Sequence, residues 1–125
     1  MTVWLLLAAY LFVWIGAHFI TGVLMWCMRW TMGMTGKAWR MMTFYVGGIE
    51  RMITLTLVLW APAQVPLFIG GWIALKMAAN WQRQKGPEAA QGNLLALVGN
   101  ALSFSIPIAV GLWLNPTALA AWNGE

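Results

Sequence analysis

Residues 3–30 read VWLLLAAYLFVWIGAHFITGVLMWCMRW, a long apolar run that opens beside Trp4, ends in Trp26 and Trp30, and meets its first charge at Arg29. About twenty such residues, rising 1.5 Å each, cover a hydrocarbon layer roughly 30 Å thick, so the stretch predicts a membrane-crossing helix. Tryptophan settles at the headgroup level, because its ring is apolar and its indole N–H seeks water. The same punctuation recurs outward from this stretch: Trp4, Trp60, Trp113 and Trp122 fall at one set of ends of four apolar segments, and Trp26, Trp30, Trp39 and Trp81 at the other.

The chain as a whole has the same character. Its 125 residues are 62% hydrophobic and only 8% charged, with a mean hydropathy of +0.73, whereas about a quarter of the residues of a soluble protein are charged. This predicts an all-α integral membrane protein, a single transmembrane domain over residues 1–125. Its four transmembrane helices should lie at about 3–29, 39–60, 66–82 and 93–114, followed by a short interfacial helix at about 116–122. Pro62 and Pro66 make the turn between the second and third spans. Asn115 followed by Pro116 reads as an N-cap and first helical residue of the interfacial helix.

Charge sets the orientation. Arg29, Lys37, Arg40, Arg83 and Lys85 flank the spans on one side and no basic residue flanks them on the other, so loops 31–38 and 82–92 are expected in the cytoplasm and both termini outside. The first span has no basic segment before it and exceeds the length of a signal core, so it reads as a retained helix. The formal charge of +4 is spent on this asymmetry, and no nucleic-acid role is expected. The expected location is a bacterial inner membrane.

Three charges remain inside the spans: Glu50, Arg51 and Lys76. Each is costly there, by about 2.5–3.5 kcal/mol for Lys or Arg at a helix centre on insertion scales. Helical rise puts Glu50 about 15 Å from Arg40 and Lys76 about 10 Å from Arg83. The two also lie at similar distances from the Ala63–Gln64 fold, so an interhelical Glu50–Lys76 pair is expected. Gly47, Glu50 and Thr54 share one helical face, and Gly70, Ala74 and Ala78 repeat small residues that let backbones approach. His18, about 16 Å from Arg29, and Asn100 with Ser103 and Ser105 reach a similar level, and Pro107 is placed to kink the fourth span and free a carbonyl near Ser103.

Two readings of this layer stand. In one, Glu50–Lys76 is a structural staple with His18 and Asn100 as interhelical hydrogen-bonders. In the other, Glu50, Arg51, Lys76, His18, Asn100 and Ser103 bind a solute. The second rests on Arg51, which cannot share the direction of its neighbour Glu50 and so lacks an assigned partner.

Other signals are weaker. Met25, Cys27, Met28, Met32 and Met34 carry the thioether and thiol chemistry of a Cu(I) site, but methionine is also a common apolar filler, and a lone cysteine makes no internal disulfide. His18 has the chemistry of a haem or pigment ligand. No nucleophile–base pair at recognisable spacing, second carboxylate beside Glu50 or phosphate loop is present, so no enzyme activity, cofactor or metal is expected.

Gly48-Ile49-Glu50-Arg51 followed by Ile69-Gly70-Gly71-Trp72-Ile73-Ala74-Leu75-Lys76 resembles the E-R … I-G-x-x-x-A-x-K pattern of small uncharacterised bacterial and phage-associated membrane proteins. The resemblance covers the central hairpin, implies the hairpin and its Glu–Lys pairing, and brings no activity. The leading expectation is a small oligomeric transporter or channel-like protein handling a proton-coupled or anionic solute. The alternative is a non-catalytic accessory or lipid-interacting subunit of a larger membrane complex. Expected partners are the lipid bilayer, further copies of the chain, and an anionic solute or acidic lipid.

Overall fold

A computed structural model describes residues 2–33, 41–83 and 89–124, with backbone alone at 41–44, 80–83 and 89. Every regular element among them is helical. Helix α1 runs over Val3–Thr31, α2 over Met41–Trp60, α3 over Val65–Arg83, α4 over Ala89–Leu114 and α5 over Ala118–Trp122. Lys37, Trp39, Arg40 and Lys85 lie outside the described residues.

Local chemistry explains most of the boundaries. Thr2 caps α1, its Oγ1 accepting from the Leu5 N–H at 3.3 Å, and Gly33 at φ 70° follows its end, where a left-handed residue is cheap only for glycine. Helix α2 stops before Pro62, which opens a single 3₁₀ turn, Pro62–Gln64. Pro66 then sits in the first turn of α3, where a missing N–H costs nothing. Helix α4 begins earlier than the sequence suggested and continues through Pro107.

Two expectations about local structure are corrected. Asn115 does not cap the last helix: Thr117 precedes it without a side-chain cap bond. Asn115 Nδ2 instead donates to the carbonyls of Val58 and Leu59, each at 3.3 Å, fastening the end of α4 to the end of α2. Nor does the small-residue stripe of α3 face α2. Gly70 and Gly71 have open space where a Cβ would stand, and Ala74 and Ala78 are exposed.

The close approaches are made elsewhere. A Cβ on Gly48 of α2 would fall inside the Trp14 ring of α1, and one on Gly111 of α4 would overlap Val58 of α2. The most extensive contact is therefore between α2 and α4, while α2 and α3 touch far less. One core cluster joins Ala9 and Val13 of α1 to Leu55 and Leu59 of α2, flanked by Val110 and Leu114 of α4. A second joins Val58, Val65 and Ala118, and Trp122 Nε1 pins α5 to the Pro62 carbonyl at 2.6 Å.

Two helices are long and apolar enough to cross a membrane: Val3–Thr31 at mean hydropathy 2.0 and Ala90–Leu114 at 1.8. Only 22% and 33% of those windows are buried inside the molecule, so their apolar surface faces outward. Soluble monomers rarely expose contiguous apolar surface on that scale. Helices α2 and α3 carry Glu50, Arg51 and Lys76, which lower their apolarity. Trp4, Trp60 and Trp113 are 81%, 61% and 72% exposed at one end of the bundle, and Trp26 and Trp30 are exposed at the far end of α1.

Candidate functional site

Consecutive residues on a helix point about 100° apart, so Glu50 and Arg51 serve different neighbours. Glu50 turns to α3. Lys76 Nζ stands 3.0 Å from its Oε1 and 3.1 Å from its Oε2. The donor geometry is met at Oε2 alone, which leaves Oε1 held by charge without a hydrogen bond. The pair is lopsided in burial, with the Lys76 side chain 35% exposed and that of Glu50 3%.

Arg51 turns to α1 and α4. Its Nε donates to the Val13 carbonyl at 2.8 Å, its Nη2 to the Trp14 carbonyl at 3.1 Å and its Nη1 to Ser103 Oγ at 3.0 Å. The guanidinium that the sequence left without a partner thus finds three acceptors inside the chain. Two are backbone carbonyls, and the availability of Val13 O has a cause. Residues Phe12–Gly16 form a single π-helical turn, in which the Ala17 N–H donates to Phe12 O instead of to Val13 O as an α-helix requires. Gly47, one turn before Arg51, clears the space: a Cβ there would stand 3.2 Å from Nη1.

The rest of the predicted layer is less connected. Asn100, buried, turns back on its own helix and donates to Ala96 O at 2.9 Å, and Ser105 does likewise to Leu102 O at 2.7 Å. His18 is buried on the inner face of α1 below the π turn. Thr54, fully buried one turn after Glu50, donates to the Glu50 carbonyl at 2.8 Å. Residues 50 and 51 therefore tie all four long helices at one level, through Lys76 of α3, Val13 and Trp14 of α1, and Ser103 of α4.

Sequence reasoning listed the side chains of this layer and missed its backbone. The carbonyls of Val13 and Trp14 carry no side-chain signature, and the only trace of the π turn in the sequence is a slip of helical phase. Among the described residues no group of His, Cys, Asp and Glu converges as metal ligands would. Met25 Sδ lies 3.2 Å from where a Gly99 Cβ would stand, filling the gap between α1 and α4, while Cys27 is exposed. A groove of about 300 Å³ lies apart from the layer, lined by Tyr10, Ile49, Met52, Ile53, Thr56 and Leu57, and is almost wholly apolar. Compared with known proteins, the chain matches no family model, no curated protein and no solved structure.

Proposed function

We propose that the chain is a non-catalytic, four-span membrane subunit, a helical scaffold that works by packing against lipid and other membrane helices. The observation that carries this reading is Arg51, whose donors go to Val13 O, Trp14 O and Ser103 Oγ within the chain. Three of the five guanidinium donors are thereby committed within the chain, and bonds from one helix to two others are a means of fixing helix positions.

Four spans fit the same reading. Helices α2 and α3, 20 and 19 residues long, reach about 30 Å at 1.5 Å per residue, and their intramembrane charges face the bundle interior, as such charges do in lipid. The basic flanks put the Arg29 end in the cytoplasm. On α3 the small residues Gly70, Gly71, Ala74 and Ala78 are exposed along one face, the kind of surface on which membrane helices associate. A transport reading keeps one supporting observation, the partial exposure of Lys76.

Water access separates the two. In a Cys27→Ser background, cysteines placed at Thr54 and Asn100 should resist membrane-impermeant methanethiosulfonates, and proteoliposomes should pass protons and small anions no faster than protein-free vesicles. Labelling at either position together with flux would overturn the scaffold reading.

A further inference from the structure

We infer that Arg51 sets the helical register of α1: by taking the carbonyls of Val13 and Trp14 it holds the π turn, and the π turn brings the two halves of α1 into phase with the core. The burial pattern carries the argument. Above the turn, Leu6, Ala9 and Val13 face inward. Carried on at 3.6 residues per turn, the Val13 face would run through Ala17, Ile20, Leu24, Cys27 and Thr31; Ala17, directly after the turn, is buried, and the four beyond it are exposed. Beyond Ala17 the inward-facing stripe is centred on His18, Thr21, Met25, Met28 and Met32, with Gly22 and Arg29 at its edge, one position further along. The whole lower half of α1 is therefore displaced by one residue, which is what a single π turn inserts.

This displacement has a price in backbone bonding that something must offset. Redirecting the Ala17 N–H to Phe12 O strips Val13 O of its α-helical donor, and a buried carbonyl left bare costs on the order of a hydrogen bond. Arg51 Nε supplies that donor at 2.8 Å. Gly16 adds room, since a Cβ there would meet the Phe12 ring at 2.8 Å. Without the guanidinium the π turn loses its compensation and α1 relaxes to a continuous α-helix, rotating one half against the other by about 100°. His18 and the upper residues Ala9 and Tyr10 then cannot all face the core. The inference holds whether or not α2 and α3 cross a membrane.

Two contacts report on the two halves. In the upper half Tyr10 Oη and Thr56 Oγ1 are hydrogen-bonded at 2.5 Å. In the lower half Met25 packs on Gly99. In a Cys27→Ser background, cysteine pairs at 10/56, joined by a short bis-methanethiosulfonate, and at 25/99, joined by oxidation, should both cross-link when Arg51 is present. Arg51→Met should lose at least one of them, because no continuous helix satisfies both. Deleting the lipid-facing Ile15 from Arg51→Met removes the extra residue, restores the phase with ordinary α-helical bonds, and should bring both cross-links back. Arg51→Met retaining both cross-links would overturn the inference, and so would the deletion variant failing to recover them, including by failing to fold.

Discussion

The Glu50–Lys76 pair makes an asymmetric prediction, because its partners differ in what they can do alone. Lys76→Met leaves a carboxylate whose residue is 2% exposed with its one hydrogen-bond donor gone. Breaking a buried pair from that side should cost about 3–5 kcal/mol. Glu50→Met leaves an ammonium on a flexible stem that is already 35% exposed and can swing toward the basic end of α3, so its cost should be roughly half as large, on the order of 2 kcal/mol. The double variant, apolar on both sides, should fall within about 1 kcal/mol of the parent. The coupling energy is then at least about 4 kcal/mol by these estimates, well above the roughly 1.7 kcal/mol maximum measured for interhelical hydrogen bonds in a membrane protein. Reversible unfolding in mixed micelles of increasing sodium dodecyl sulfate, followed by far-ultraviolet circular dichroism, measures all four corners of the cycle. Additive single losses would refute the coupling, and a larger loss for Glu50→Met would refute the burial argument.

Gly48→Ala should destabilise by about 1–3 kcal/mol through overpacking, since its Cβ would fall inside the Trp14 ring; trimming Trp14 to Leu in the same chain should recover part of the loss, and a neutral Gly48→Ala would argue against the α1–α2 contact. Cysteines at Gln64 and Asn123, both exposed, should label from outside intact cells in the Cys27→Ser background while one at Thr31 labels only after permeabilisation; the reverse pattern would invert the orientation. Native mass spectrometry from nanodiscs should show an oligomer that Ala74→Leu on the exposed face of α3 shifts toward monomer, and a monomeric parent chain would refute self-association through that face.

The parts of the fold that the sequence discloses are those in which side chains meet a solvent. Apolar runs, prolines and glycines at turns, Trp at helix ends and basic flanks all report a residue's relation to lipid or water, and they placed α1 to α4 and the Pro62–Gln64 turn within a few residues. The Glu50–Lys76 pair was also legible, because two opposite charges at one depth of apolar segments have few alternatives. What stayed hidden involved the backbone or the rotation of one helix about its own axis. Small-residue spacing on α3 predicts that something can come close but does not say from which side, and the side facing α2 turned out to be the other one. Gly48 and Gly111, which do set the helix separations, sit among thirteen glycines with nothing in composition to distinguish them.

Arg51 shows why the site was harder to read than the fold. A sequence lists the donors of an arginine but not carbonyls, since every residue has one and almost all are already engaged in helices. Leaving Arg51 without a partner inside the chain was reasonable for an α1 of regular helix, in which Val13 O is already taken by the Ala17 N–H. One π turn changes the count. It frees an acceptor at the depth of Arg51, turns His18 inward, and converts an unpaired cation into the tie between α2 and α1. Glu50 and Arg51 then act as neighbours pulling in different directions, one toward Lys76 of α3 and the other toward α1 and Ser103 of α4. Exchanging the two residues would present a carboxylate to the carbonyls of Val13 and Trp14 and a guanidinium to Lys76, two repulsions in place of two attractions. The order Glu-Arg is therefore as much a part of the fold's specification as the presence of the two charges.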